Sequence, residues 1–469
     1  MFEKIVNTVN STVWSPALVV LLVCAGIYFT IRTRFVQLRR IGLMGRLLFR
    51  KHDKDAEKKG VSSFEAFCIA LSGRVGTGNI VGVATAIALG GPGAVFWMWI
   101  IAFFGASTAF VESTLAQLFK FSHSTGFRGG PACYIEKGLR SRFLAILYAV
   151  FTIIGCGLLL PTVQANGMST AAMNSFGIDP LISGLFLAFL MGLVIIGGIK
   201  RVAKAASLIT PLMAVIYVII SLVILAMNWR AIPGLLKMIV DNAFGINPLC
   251  GGILGSTIMM GVKRGLFSNE AGQGTGAIPS ASADVRHPAE QGLVQAFSVY
   301  VDTLLVCTAT ALMILSAGTF NILDAKTGEM LVAKAPELGA NYVGYTQAAV
   351  DSVIGGFGSA FVSIALAFFV FTTVMAYYVY SESSVMYLCE IRGKGSSRTE
   401  KILVRILQGT LLASVVFGAV KEANLVWTLG DIGIGIMAWV NVIAIIILAP
   451  KATGALREYE SMISRRRSK

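Results

Sequence analysis

Apolar residues in this chain come in runs of about twenty, separated by short polar or basic links, and twenty is the length an α-helix needs to cross a bilayer core. The runs predict about eleven spans, at 14–31, 64–89, 94–119, 143–173, 181–198, 206–228, 249–287, 291–316, 352–381, 402–420 and 425–448. Alternation over segments of about ten residues, the mark of an outer-membrane barrel, is absent. The pattern predicts an all-α integral membrane protein. Two runs are interrupted by polar, glycine-rich residues: the second at Ser72-Gly-Arg-Val-Gly-Thr-Gly-Asn79, and the seventh from Lys263 to Gly276. Inside a bilayer a broken helix is tolerated only where protein or a watery cavity satisfies its backbone, so the breaks are the first place to look for a ligand. They lie five spans apart, which predicts two halves of five spans with the second inverted relative to the first.

Charge then sets orientation. The 469 residues are 55% hydrophobic and 13% charged, with mean hydropathy +0.75. A net charge of +15 would suggest nucleic-acid binding in a soluble chain, but here the basic residues sit in links and tails, so no nucleic-acid partner is expected. The basic links at 32–59, 120–142 and 392–401, Lys200, Arg201 and Lys204, and the tail with Arg465, Arg466 and Arg467 all fall on one side. By the positive-inside rule that side is the cytoplasm, which places the N-terminus outside and the C-terminus inside. The first fifteen residues lack the order of a secretory signal, so the first span should be a true one. Seven cysteines show no CxxC and no paired spacing; Cys24, Cys68, Cys156 and Cys307 lie within apolar runs and read as reduced packing residues.

A helix that stops and restarts at mid-membrane exposes carbonyls where it stops and N–H groups where it restarts. In the second span the carbonyls of Ser72 to Val75 would face a cation, and the N–H groups of Gly78 and Asn79 a carboxylate. A zwitterion together with a small hard cation fits both ends. Thr77, Asn79, Gln164, Asn166, Thr372 and Thr373 offer further oxygens in apolar surroundings, and sodium favours such ligands over thiolate or imidazole. Glycines in membrane helices also serve close packing, and a lone threonine often bonds its own turn. Six charges lie at membrane depth: Arg74, Glu112, Lys263, Arg264, Glu270 and Asp302. Asp302 reads equally as an ion or proton relay and as the partner of a basic residue, whereas Glu270 reads as a brace for the second break. Enzyme motifs fail: Gly272-Gln-Gly-Thr-Gly276 has the glycine density of a phosphate loop but no following Lys-Ser/Thr, and His52, His123 and His287 lie in or near links. No enzyme activity is expected.

Three stretches carry a family resemblance: Gly90-Gly-Pro-Gly-Ala-Val-Phe-Trp-Met-Trp99 with Gly105, Gly73-Arg-Val-Gly-Thr-Gly-Asn-Ile-Val-Gly-Val-Ala84, and Gly265-Leu-Phe-Ser-Asn-Glu-Ala-Gly272. They resemble the sodium:alanine symporter family, over most of the chain from about Phe64 to Leu448. The resemblance implies a leucine-transporter-type five-plus-five inverted repeat with one extra N-terminal helix. On this chain that gives an N-terminal helix and link at 1–61, repeats at 62–230 and 231–450, and a basic tail at 451–469. It implies alternating-access symport of a small neutral amino acid, alanine or glycine, with sodium, in the cell inner (plasma) membrane. Carried over by position, the substrate would meet Thr77, Gly78, Asn79, Gln164, Phe267, Ser268 and Asn269. Sodium would lie between the carbonyls of Ser72 and Val75 and the hydroxyls of Thr372 and Thr373. Two departures, Gln273-Gly-Thr-Gly-Ala-Ile-Pro279 and the pair Tyr377-Tyr378, make "small neutral amino acid" a safer reading than alanine alone. The alternatives are proton coupling and an amino-acid-gated channel or receptor on the same scaffold. No required protein partner is evident besides the lipid bilayer.

Overall fold

The structure is a computed structural model of the chain and describes residues 2–49, 60–246, 253–325, 327–393, 395 and 397–467. Residues 50–59 of the first basic link with His52, the start of the expected seventh span at 249–252, Lys394, and the side chains of Arg466 and Arg467 lie outside that description. Among the described residues, eight helices are long and apolar enough to cross a membrane, or nine when Ser63–Arg74 and Gly78–Gly90 count as one bent span. The chain is a multi-pass helical membrane protein.

Helices Pro16–Arg32, Ala94–Leu118, Gly198–Met227 and Arg398–Val420 stand where spans one, three, six and ten are expected. Spans four and eight are each a continuous helix carrying a wide π-type turn, at Gly155–Leu159 and Tyr300–Cys307. The fifth, Pro180–Ile195, is 16 residues long, about 24 Å at 1.5 Å per residue, and so is short for a span. The ninth is displaced from 352–381 to Gly358–Glu390, because Ser352 lies in the last turn of a separate helix, Tyr342–Ile354. Gly355 and Gly356, both at positive φ, part the two helices. The last helix does not stop at Leu448 but runs Ala423–Arg467. Ala449, Ala452, Leu456 and Tyr459, three and four residues apart, carry a buried stripe through what hydropathy alone treats as tail. Hydropathy also passes over two short hairpins, Phe121–His123 with Gly126–Arg128 and Asn321–Leu323 with Met330–Ala333.

The layering follows from where apolar surface is covered. Helices Pro180–Ile195 and Gly198–Met227 expose Leu185, Phe186, Phe189, Leu208, Leu212 and Ile219, a surface suited to lipid chains. The first broken helix is the opposite case: every residue from 66 to 88 is buried. A capping box starts it, with the Glu65 N–H donating to Ser62 Oγ at 3.1 Å and the Ser62 N–H to Glu65 Oε2 at 2.7 Å. The second broken helix comprises Leu254–Asn269, a turn, and Ala277–Ser282. Both breaks lie inside the bundle, enclosed by Gly358–Glu390, by Pro288–Ala317 and by the long fourth helix.

Candidate functional site

At the first break the α-helix ends at Arg74 and resumes through the π-type turn Gly78–Gly82, with a bend of 49°. Ending a helix strands its last carbonyls. Thr373 answers them from the ninth span, its hydroxyl lying 2.8 Å from the Ser72 carbonyl, 3.1 Å from that of Val75 and 2.8 Å from that of Phe369 in its own turn. A hydroxyl has one proton to give, so three acceptor carbonyls around it leave an oxygen-rich cluster short of positive charge. Such a cluster suits a small cation. Thr372 stands apart: its hydroxyl donates to Phe369 O at 3.0 Å, within its own turn. The Ser72 side chain pairs with Thr210 across the bundle at 2.6 Å, which leaves its carbonyl as the group facing Thr373.

One turn further, Gln164 Oε1 accepts from the Thr77 N–H at 2.9 Å and from Thr77 Oγ1 at 2.8 Å. Asn79 Oδ1 accepts from the Gly76 N–H at 2.8 Å. No side chain fits at Gly76: a Cβ there would lie 2.5 Å from Thr373 Oγ1 and 2.8 Å from Gln164 Oε1. At Gly78 it would lie 3.1 Å from the Phe267 ring and 3.3 Å from Ser268 Cα, so the two breaks touch at their glycine and phenylalanine. Phe267 packs on Trp427, ring centroids 5.0 Å apart. The structure thus gathers Thr77, Gly78, Asn79, Gln164, Phe267 and Ser268 around one small region. Asn269 is spent on the helix end instead, its Oδ1 accepting from the Ala271 N–H at 3.0 Å and its carbonyl from Arg74 Nε at 2.7 Å. Asn166 faces away and donates to the Lys421 carbonyl at 2.8 Å.

The second break turns on Glu270 at φ 56, Gly272 at φ 100 and Gly274 at φ 87. The glycine density there serves this turn, since the last two values need a residue without Cβ. The charges at depth separate into kinds. Lys263 and Arg264 share Asp431, the lone acid between Leu425 and Leu448, at 2.6 and 2.5 Å, with Arg264 also stacked over Trp427 at 4.9 Å. Arg74 joins the breaks through Asn269 O and also donates to Ser298 and Gln295. Glu112 accepts from Asn441 at 3.0 Å, and the same amide group holds the Gly272 carbonyl at 2.9 Å. Glu270 accepts from the Tyr380 hydroxyl at 3.4 Å. Asp302 receives Asn79 Nδ2 at 2.6 Å, Ser268 Oγ at 2.9 Å and Thr303 Oγ1 at 2.6 Å. Hydropathy counting passes over Asp431, although an acid in an apolar run is the same signal that marks Asp302. Thr303 and Cys307, one and five residues after Asp302, give no signal of their own in the sequence.

Comparison with known proteins places this architecture. The chain is 50% identical over 457 residues to YrbD of Bacillus subtilis (strain 168), covering 97% of this chain and 92% of that one. It is 47% identical over 410 residues to the sodium/proton-dependent alanine carrier protein of Bacillus sp. (strain PS3), covering 87% and 90%. A Na+-coupled sialic acid symporter solved in a substrate-bound outward-open state shares the fold, with TM-score 0.52 at 14% identity over 93% of this chain and 86% of that one. The model of the sodium:alanine symporter family matches residues 1–469, end to end, and the chain belongs to that family.

Proposed function

We propose that this protein carries a small neutral amino acid, alanine or glycine, into the cell together with sodium by alternating access. The observation that carries the reading is Thr373 Oγ1 against the Ser72 and Val75 carbonyls, at 2.8 and 3.1 Å. Those oxygens belong to two different helices, so a sodium ion held among them ties the first broken span to the ninth and stabilises one arrangement of the bundle over another. Thr372, its hydroxyl turned to Phe369 O in its own turn at 3.0 Å, stays outside the set. The amino acid is read by Thr77, Gly78, Asn79 and Gln164 on one side and by Phe267 and Ser268 on the other, while Asn269 holds the helix end at the second break. Gly76, Gly78 and the Phe267 ring leave space only for a small side chain, and selectivity between neighbours such as alanine and glycine is modest, about 1–3 kcal/mol per methylene.

The scaffold reading is two repeats, 62–230 and 231–450, each led by a broken helix and preceded by the N-terminal helix and link at 1–61. The C-terminal segment 451–469 lies in the cytoplasm and the N-terminus outside; the membrane is the cell inner (plasma) membrane. A sodium ion moving down ~100 mV and a tenfold gradient supplies ~3.7 kcal/mol, enough for ~500-fold accumulation of substrate. The Bacillus sp. (strain PS3) relative is described as sodium/proton-dependent. With Asp302 and Glu270 buried at the breaks, proton coupling is the second reading. Uptake of labelled alanine by proteoliposomes under inward sodium, potassium or proton gradients tests the proposal. Accumulation above the outside concentration with sodium supports it; accumulation with the proton gradient alone moves coupling to a carboxylate, and dissipation of a preloaded alanine gradient without accumulation identifies a channel.

A further inference from the structure

The first span ends at Arg32, and the chain leaves it through a turn that is costly to build. The Arg34 N–H donates to Ile31 O at 3.0 Å and the Phe35 N–H to Thr30 O at 2.8 Å, the pair of bonds that closes a helix when the residue after its cap is left-handed. That place usually holds glycine. Here Arg34 stands at φ 54 and Phe35 at φ 55, backbone that a residue with a Cβ enters only against steric resistance. Two large side chains kept in strained backbone point to a use for them, and both are exposed.

Beyond the turn, the short helices Val36–Arg39 and Ile41–Leu48 turn one face inward and one outward. Val36, Gln37, Met44, Leu47 and Leu48 are buried, whereas Ile31, Phe35, Leu38 and Ile41 are exposed. Five arginines lie in this stretch, and they divide into two groups. Arg39 and Arg40 are answered within the protein by Glu460 of the last helix, at 2.6 and 3.0 Å. Arg32, Arg34 and Arg46 are exposed among the apolar side chains and have no carboxylate within 4.0 Å among the described residues. The elbow is fastened inward as well: Gln37 Nε2 donates to Thr30 Oγ1 at 2.9 Å, and Thr30 Oγ1 lies 3.0 Å from Ser107 Oγ of the third span.

We propose that this elbow, residues 32–46, is a docking surface for anionic phospholipid. The apolar run of the first span sets its depth, since the residues that follow such a run sit at the level of the headgroups. A soluble polyanion would answer the arginines and leave Phe35, Leu38 and Ile41 in water; a zwitterionic lipid would cover those side chains and bring no net charge to the guanidiniums. An anionic phospholipid does both, its phosphate accepting paired N–H bonds from arginine while its acyl chains cover the apolar face. Because the elbow is tied to Ser107 and to Glu460, a lipid held there also fastens the ends of the first, third and last helices together.

Native mass spectrometry of the purified full-length chain, titrated with phosphatidylglycerol or with phosphatidylcholine of the same acyl chains, reads the affinity for each. Phosphatidylglycerol should bind more tightly, by about fivefold for each arginine engaged. In Arg34→Gly the new residue suits φ 54, so the melting temperature should hold or rise while phosphatidylglycerol binds about fivefold more weakly and phosphatidylcholine as before. Phe35→Asn, which also tolerates left-handed backbone, should weaken both lipids. Lys204→Gln neutralises an exposed cation of another basic link and should change neither. Equal affinity for the two lipids in the native protein, or unchanged phosphatidylglycerol binding in Arg34→Gly, overturns the site. A loss in Lys204→Gln as large as that in Arg34→Gly overturns it in favour of diffuse surface charge, and displacement of phosphatidylglycerol by an equal concentration of glycerol 3-phosphate overturns it in favour of a free-phosphate site. Paired chains that come apart in Phe35→Asn assign the face to a second copy and overturn it too.

Discussion

Replacing Thr373 by valine preserves the shape of a side chain that is fully buried and removes one oxygen. That oxygen lies 2.8 Å from Ser72 O and 3.1 Å from Val75 O, so its loss takes a hydroxyl ligand from the proposed sodium cluster and leaves two helix-end carbonyls without their cross-helix partner. A hydrogen bond or ligand contact to a charged group contributes about 1.5–3 kcal/mol, which raises the half-saturating sodium concentration roughly 10- to 150-fold. The neighbouring hydroxyl provides the internal control. Thr372 Oγ1 donates only to Phe369 O in its own turn, at 3.0 Å, and a neutral bond of that kind is worth about 0.5–1 kcal/mol, so Thr372→Val should shift half-saturation by less than about fivefold. The assay is the initial rate of alanine uptake into proteoliposomes against sodium concentration, with a melting curve of each purified variant to show that it is folded. A folded Thr373→Val protein whose half-saturation stays within twofold of native, or a larger effect at Thr372 than at Thr373, would refute the assignment of the cation to these carbonyls.

Gly76→Ala places a methyl 2.5 Å from Thr373 Oγ1 and 2.8 Å from Gln164 Oε1, pushing the cation and substrate groups apart together. Displacement of that order costs about 100-fold in rate, and retention of more than a tenth of native uptake contradicts the close approach. Asp431→Asn strips Lys263 and Arg264 of their shared carboxylate and should destabilise the folded protein by about 3–5 kcal/mol, read as a lower melting temperature in detergent. An unchanged melting temperature means that the two cations are satisfied elsewhere.

Several features of the site were legible because they follow from what a bilayer forbids. Gly76-Thr-Gly-Asn79 and Gly265-Leu-Phe-Ser-Asn269 interrupt apolar runs where nothing in the lipid satisfies a backbone, so they had to lie inside the protein, and they do. The charges at depth were legible for the same reason. Their partners were not: Asp431 stands more than 160 residues from Lys263 and Arg264, and no local pattern foretells that pairing. Helix ends were the weakest part. Hydropathy stops at Leu448, yet the buried stripe of Ala452, Leu456 and Tyr459 continues the helix, because packing against protein rather than lipid covers those residues. Ser352 falls in an apolar run, yet Gly355 and Gly356 divide it.

What the sequence determined by itself was the solvent of the fold and the places where helices must break, since transfer of backbone and charge into hydrocarbon is costly whatever the tertiary arrangement. It also carried the family, through long motifs at both breaks. What only the tertiary structure decided was which of several equivalent groups do what. Thr372 and Thr373 are adjacent and chemically identical, but successive residues on a helix point about 100° apart, and only one of them reaches the carbonyls of another span. Glu270 and Asp302 are both buried acids, and only Asp302 has donors on both oxygens, because a wide turn in its own helix and the two breaks converge on it. Direction in space, which a linear pattern does not hold, separates a helix-packing oxygen from one that can take an ion.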